Sequence, residues 1–164
     1  MSQQLAINGF AFAKENGVLK GTLPVSDLGR LHDLLTEISG EVFFRLEGSL
    51  GGRGQPQLRL RVSGTLPLAC QRCLGPVSFD LEVDSLLVLL PEGAELTQDE
   101  LEDDSRDFLP VAGTVDVAAL VEDEILLALP VAPRHEKCGL PSEAEAGDRI
   151  NPFAALSKLK GKLN

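Results

Sequence analysis

Two runs of alternating apolar residues, one on each side of residues 70–73, constrain the fold of this chain most. The apolar residues are Leu58, Leu60, Val62, Leu66, Leu68 and Cys70 before the link, and Val77, Phe79, Leu81, Val83, Leu87 and Leu89 after it. A period of two is typical of strands that bury one face. Because the link is short and contains Gly75, which lets the backbone turn, the pattern predicts a long antiparallel hairpin. Cys70 and Cys73 would lie at its tip.

The three cysteines and one of the two histidines form two pairs of equal spacing. Cys70 and Cys73 are the first pair, His135 and Cys138 are the second, and 61 residues lie between the pairs. A C-x2-C pair followed by H-x2-C supplies the thiolates and the imidazole of a closed tetrahedral zinc site. The long interval indicates a structural ion that ties a distant segment to the hairpin, with no coordination position left open for catalysis.

The same residues allow two other interpretations. The thiols could be buried as small apolar side chains, or Cys70 and Cys73 could be a redox pair. A redox motif is typical of a strand-to-helix junction in a βαβ unit, whereas the alternation on both sides of this motif indicates a hairpin. The odd number of cysteines and an N-terminus unlike a signal peptide argue against a disulfide framework.

Two helices and a further strand are predicted outside the hairpin. The first helix would begin at the N-cap Ser26 and end near Gly40, and the second would begin at the N-cap Asp116. Their apolar residues are Leu28, Leu31, Leu35 and Ile38 in the first helix and Val117, Leu120, Val121, Ile125 and Ala128 in the second. Val42, Phe44 and Leu46 alternate as in a strand. Pro130 and Pro133 predict an extended exit that returns His135 and Cys138 to the hairpin tip.

These elements predict an α+β fold, an antiparallel sheet with a long central hairpin packed by two or three helices. Residues 1–138 would be one domain, residues 139–150 a linker rich in Gly, Pro, Ser, Ala and acidic residues, and residues 151–164 a flexible helical tail. The tail is basic and amphipathic, a pattern typical of segments that dock on a partner. Its predicted partner contacts are Phe153, Leu156, Lys158, Lys160 and Lys162.

The charge of the chain restricts its partners. The net charge is −10, and residues 92–107 alone contain eight acidic residues against Arg106. This run predicts a solvated or disordered loop, or an acidic arm that attracts a basic partner. A general, electrostatically driven nucleic-acid binder would have the opposite charge balance. The densest apolar run, residues 86–90, is too short to span a bilayer, so we expect a cytoplasmic protein without a membrane partner.

Three segments resemble the YceD family of bacterial proteins. They are Leu68-Ala69-Cys70-Gln71-Arg72-Cys73-Leu74, then Val121-Glu122-Asp123-Glu124-Ile125-Leu126-Leu127-Ala128-Leu129-Pro130 with His135 and Cys138, and finally Asn151-Pro152-Phe153-Ala154-Ala155-Leu156. The resemblance covers about the last hundred residues, with the segments in the family's order. It implies a non-enzymatic role in ribosome biogenesis, in the accumulation of large-subunit (23S) ribosomal RNA. The implied partner is the large-subunit precursor, through ribosomal RNA or a basic ribosomal protein, and no small-molecule substrate is implied.

Arg72, between the two thiols, is the residue that we expect to contact a phosphate or a carboxylate, because it projects from a tight loop. Two other classes of function stay open from the sequence. One is an acidic protein-interaction module with a structural zinc site. The other is a zinc-dependent hydrolase, which would need an open zinc position and a base near it, and Glu136 is the only acid within the motif.

Overall fold

The computed structural model describes residues 5–138, which form a five-stranded sheet, a two-stranded sheet and a few helices. The strands are β1 (Ala6–Asn8), β2 (Val18–Pro24), β3 (Glu41–Leu50), β4 (Pro56–Ala69), β5 (Pro76–Pro91), β6 (Asp107–Val111) and β7 (Thr114–Asp116). The helices are α1 (Gly9–Lys14), α2 (Gln98–Leu101) and α3 (Val117–Ala128), and two 3-10 turns span Val25–Asp27 and Gly29–Leu34. The α+β fold class is confirmed. The predicted linker and tail lie outside the described residues.

The predicted hairpin is the centre of the large sheet. Strands β4 and β5 pair antiparallel from Gln57 opposite Val88 to Ala69 opposite Pro76, so the turn between them holds Cys70 and Cys73. The strand order is β2-β3-β4-β5-β6, and β2, β3, β4 and β5 are antiparallel neighbours. Strand β6 pairs parallel to β5, so the sheet is mixed rather than purely antiparallel. A parallel neighbour requires a crossover, and residues 92–106 provide it.

One face of the large sheet carries the hydrophobic core. The alternation seen in the sequence places buried residues on this face at every second position of β3 and β4. The buried residues of the sheet include Val42, Phe44, Leu46, Leu58, Leu60, Val62, Leu66, Leu68, Leu81, Leu87 and Leu89. Helix α1 packs so closely on β3 that a Cβ at Gly48 would collide with the Phe12 carbonyl oxygen. Glycine is therefore required at that contact.

The segment predicted as a helix after Ser26 differs in the structure. It forms two 3-10 turns, and Leu35 is already extended and makes a bridge to Leu68. Leu28 and Leu31 are buried as predicted, but Ile38 is 49% exposed. A spacing of three suits a 3-10 turn as well as an α-helix. The bridge to β4 decides between them, since it holds the chain extended before a full α-helix can continue.

Helix α3 agrees with its prediction. The carboxylate of its N-cap Asp116 accepts hydrogen bonds from the amides of Ala118 and Ala119. One side of the helix buries Val117, Leu120, Val121 and Ile125 against the sheet. The chain leaves the helix at Leu129 in an extended conformation, before the two prolines. This exit points the following residues toward the hairpin turn.

The acidic segment between β5 and β6 is largely exposed and contains the short helix α2. Thr97 and Glu100 form a capping box at its start. The carboxylate of Asp103 accepts hydrogen bonds from Ser105 and forms an ion pair with Arg106. Within residues 5–138, no helix is long and apolar enough to cross a membrane.

Candidate metal centre

The turn between β4 and β5 presents two of the predicted ligands. The amide of Cys70 donates to the Gly75 carbonyl over 2.9 Å, and the amide of Leu74 donates to the Cys70 carbonyl over 2.9 Å. These bonds close a narrow loop with Cys73 inside it. The residue with positive φ in this loop is Leu74, at 62°, not Gly75 as the sequence indicated. Gly75 instead lies beside the cluster, where an added Cβ would be 3.5 Å from Sγ of Cys73.

The segment after α3 brings the other two predicted ligands to the turn. The amide of Gln71 donates to the Pro133 carbonyl over 2.8 Å, and this bond fastens the return segment to the hairpin. One ligand atom from each of Cys70, Cys73, His135 and Cys138 then lies within 4.8 Å of the other three. The structure therefore brings together all four residues that spacing selected, although 61 residues separate the two pairs.

The distances within the cluster fit the edges of a zinc tetrahedron. With Zn–S bonds near 2.3 Å and Zn–N bonds near 2.0–2.1 Å, tetrahedral geometry requires edges of about 3.8 Å between sulfurs and about 3.5 Å between sulfur and nitrogen. The Sγ atoms of Cys70 and Cys138 are 3.8 Å apart, and Sγ of Cys73 is 3.4 Å from Nδ1 of His135. All three cysteines are free thiols rather than a disulfide.

The backbone around Cys70 stabilises its thiolate. Burial raises the pKa of Cys70, but hydrogen bonds from the amides of Cys73, His135 and Arg72 lower it. The hydrogen bonds have the larger effect, and the resulting pKa is about 5. The amide of Arg72 lies 3.4 Å from the Cys70 sulfur. Thiolate, not thiol, is the form that binds a metal. The two chain segments thus both donate to one sulfur, which prepares it as a ligand.

The ring of His135 is oriented by the chain entering β5. Its Nε2 lies 2.7 Å from the Pro76 carbonyl, which can only accept, so Nε2 carries the proton and Nδ1 directs its lone pair at the cluster. A backbone carbonyl in this position is a frequent partner of metal-bound histidine. The hydrogen bond to Pro76, followed by that to the Cys70 sulfur, raises the pKa of His135. Burial, followed by the nearby Cys70 sulfur, raises the pKa of Cys138.

The pKa of Cys138 is raised while that of Cys70 is lowered, so the two neighbouring sulfurs cannot easily both be ionised. A divalent cation removes this conflict, because it replaces the protons and allows every sulfur to be a thiolate. Four protein donors complete a tetrahedral shell. Such a centre holds chain segments together and leaves no position for a substrate or an activated water.

Other predicted contact residues are placed less fully. Arg72 is exposed in the turn between the two thiols. The predicted contacts in the tail, Phe153, Leu156, Lys158, Lys160 and Lys162, lie outside the described residues. Sequence reasoning missed Arg134 and Lys137, two exposed cations that flank His135 in the return segment. Their sequence signal is proximity to predicted ligands, since Arg134 immediately precedes the H-x2-C motif and Lys137 lies within it.

The fold and this cluster define a small α+β protein whose longest hairpin is closed at its tip by a Cys3His group able to hold a metal ion. Comparison with known proteins names the family. Residues 58–160 match the family described as large ribosomal RNA subunit accumulation protein YceD, and the chain belongs to that family. The match includes the hairpin, α3 and all four donor residues.

A curated relative extends the similarity to most of the chain. The large ribosomal RNA subunit accumulation protein YceD of Haemophilus influenzae is 26% identical over 156 residues, which cover 87% of each protein. The similarity therefore reaches beyond the family match into the N-terminal strands. No solved structure matches the chain.

Proposed function

We propose that this protein is a non-enzymatic assembly factor that supports the accumulation of large-subunit (23S) ribosomal RNA, by binding precursor RNA or a ribosomal protein. Membership of the YceD family and the name of the Haemophilus influenzae relative support this role. The observation that carries the proposal is the family match over residues 58–160, a region that contains both halves of the Cys3His cluster. A role in ribosome assembly would place the protein in the cytoplasm.

The cluster would hold one structural zinc ion, with Cys70, Cys73, His135 and Cys138 as ligands. Three sulfurs and one nitrogen at tetrahedral distances favour zinc over magnesium or calcium, which prefer oxygen donors. The ion would fasten the return segment after α3 to the tip of the hairpin. Its work would be mechanical, and it would supply no chemistry to a substrate.

A hydrolase is disfavoured by the composition of the cluster. A catalytic zinc keeps one coordination position for water, whereas four protein donors would fill the shell here. Glu136, the acid nearest in sequence, has an exposed side chain. We therefore propose that the protein acts by binding and not by turnover.

A second candidate function is favoured by the acidic segment between β5 and β6. Residues 92–107 are mostly exposed and carry eight acidic residues against Arg106. Such a surface suits a basic ribosomal protein, which it would keep away from phosphate until assembly. In this role the protein would be an acidic interaction module, and zinc would only stabilise its fold.

Genetic complementation tests the proposed function. A bacterial strain that lacks its own family member should have a low ratio of large- to small-subunit ribosomal RNA, and expression of this protein should restore the ratio. Affinity purification from the rescued cells should then recover large-subunit precursor particles. A ratio that stays low although the protein is expressed and folded would reject the proposal.

A further inference from the structure

The end of the molecule that carries the four donors also carries a group of free cations. Arg72 in the turn and Arg134 and Lys137 in the return segment are all exposed. Among residues 5–138, none of the three makes a salt bridge, whereas the five arginines Arg30, Arg45, Arg59, Arg61 and Arg106 do. The return segment contains one opposing acid, Glu136. In a chain of net charge −10, the described residues at this end are therefore locally basic.

A strained apolar side chain projects from the same end. Leu74 has φ of 62°, and its side chain is in the solvent, with the residue 74% exposed. Residues with a Cβ pay a steric penalty in this conformation, and glycine would relieve it. The hydrophobic core formed by residues 5–138 does not contain Leu74, so packing within this part of the chain does not explain the leucine. Strain that a fold keeps at an exposed loop is typical of a contact site.

We propose that this tip, defined by Arg72, Leu74, Arg134 and Lys137, binds an unpaired segment of RNA. The proposal rests on the proposed function and names the partner and the surface. Arginine presents a planar fork that matches phosphate, and lysine adds a point charge. An apolar side chain can pack on a base or a ribose only where the nucleotide is unstacked, as in loops, bulges and ends.

The charge of the molecule selects this partner over two others. A basic ribosomal protein would be repelled by three cations at the tip. A rigid duplex would extend past the three cations over the rest of a chain whose net charge is −10, so it would gain few phosphate contacts for the repulsion it suffers. A flexible strand can touch the tip alone.

The metal cluster fixes the geometry of the tip. Arg72 lies between Cys70 and Cys73, while Arg134 and Lys137 lie on either side of His135. The bond from the Gln71 amide to the Pro133 carbonyl joins the two loops. Because the two loops that carry the cations are joined before RNA arrives, binding orders only the cationic side chains and not the backbone that carries them.

Fluorescence anisotropy with the zinc-loaded full chain tests the proposal. The probes are a short fluorescein-labelled single-stranded RNA of mixed sequence and the same strand annealed to its complement. We expect the single strand to bind and the duplex to bind more weakly. The slope of log K against log salt should be about −0.7 for each phosphate contact, so about −2 in all for three cations.

Three variants separate contact from folding. The double variant Arg72→Glu/Arg134→Glu should weaken single-strand binding by at least about tenfold, a loss of roughly 1.4 kcal/mol or more, and should keep its zinc content. Arg53→Glu is the matched control, since Arg53 is an exposed arginine in the turn at the opposite end of β4. Leu74→Gly should weaken binding without lowering Tm, because it removes strain rather than packing.

The outcomes distinguish this proposal from the proposed function. Absence of single-strand binding, equal losses for Arg53→Glu and the double variant, or binding of a basic ribosomal protein through the tip would each overturn it. If the double variant restores large-subunit RNA in the deletion strain as fully as the unchanged protein, the tip is not the contact and the assembly role stands. If the unchanged protein fails to restore it, the assembly role itself is rejected.

Discussion

Cys73 illustrates how a single residue connects the fold to the proposed ion. Its Sγ lies 3.4 Å from Nδ1 of His135, so the two ligand pairs meet at this contact. Without an ion, three sulfurs and an imidazole are crowded into a part-buried position where Cys70 and Cys138 cannot easily both be ionised. With an ion, their binding energy becomes folding energy. The stability of the domain should therefore depend on the metal.

We predict that freshly purified, reduced protein carries about one zinc per chain, the stoichiometry of a four-ligand site. The variant Cys73→Ser should lose the zinc and unfold about 5–10 °C lower, because the ion no longer holds the return segment to the hairpin. Elemental analysis and a thermal melt measure both effects.

A chelator supplies the control for this prediction. It should lower Tm of the unchanged protein and leave Tm of Cys73→Ser where it is. Substoichiometric zinc in the unchanged, reduced protein would show that the cluster holds packed thiols instead. A chelator effect of equal size in both proteins would show that the ion acts elsewhere.

Asp103 provides a pH-dependent prediction at the same scale. Hydrogen bonds from the Ser105 hydroxyl and amide, followed by the Arg106 guanidinium, lower its pKa from 3.8 to about 2. A carboxyl group with a lowered pKa in the folded state contributes stability above the unfolded value, and this contribution is lost as the pH falls through the folded value. The loss should therefore occur between about pH 4 and pH 2.

Carboxyl carbon NMR across an acid titration measures the Asp103 pKa directly. Ser105→Ala removes the hydroxyl, the largest cause of the lowered pKa, and Arg106→Gln removes the guanidinium, so each substitution should raise the pKa of Asp103. A value near 3.8 in the unchanged protein, or no effect of Ser105→Ala, would contradict this assignment.

At the scale of elements, the fastening of α3 to the 3-10 segment depends on Glu122. Its carboxylate accepts from the Arg30 amide over 2.7 Å and from Arg30 Nε over 2.8 Å. The residue is only 9% exposed. Asp123, the next residue, binds the same guanidinium from the solvent side, where its side chain is 55% exposed.

We predict that Glu122→Ala lowers the free energy of unfolding by about 1.5–3 kcal/mol, because it leaves the part-buried Arg30 amide without its charged acceptor. Asp123→Ala is the matched control and should change it little, since exposed ion pairs contribute little. Urea unfolding measures both. Equal effects of the two substitutions would show that the carboxylate position does not matter.

The elements that could be predicted from the sequence are those with a local physical cause. The alternation around residues 70–73 predicted the hairpin, and the N-cap residue Asp116 predicted the start of α3. The 3-10 segment could not be predicted, because the bridge from Leu35 to Leu68 joins residues far apart in sequence. The parallel pairing of β6 depends in the same way on where the crossover returns the chain.

The candidate site divides along the same line. Its four donors could be selected because metal ligands have characteristic types and spacings. The orientation of His135 by the Pro76 carbonyl could not, since any residue supplies a carbonyl there. The strained conformation of Leu74 was also hidden, because the adjacent Gly75 was the natural choice for a positive φ.

At the scale of the whole molecule, an acidic body is combined with a basic C-terminal segment. The net charge is −10, yet residues 147–164 contain four basic residues against Asp148. The family match continues to residue 160, past the last described residue, so this segment belongs to what relatives share. The described part of the chain ends at Cys138, in the basic tip.

We predict that truncation after Arg149 leaves the domain folded and impairs large-subunit RNA accumulation. Tm should stay within a few degrees, because the described hydrophobic core is assembled from residues between Val25 and Ile125. Function should fall, because Phe153 and Leu156 would supply apolar contacts, and Lys158, Lys160 and Lys162 would supply charge toward an anionic partner. Thermal melts and rescue of the deletion strain measure the two properties separately.

Replacing the three lysines by glutamine in the full chain is the matched control, since it keeps the length and the apolar residues. Full rescue by the truncated protein would remove the segment from the mechanism, and a large fall in Tm would assign its apolar residues to the core.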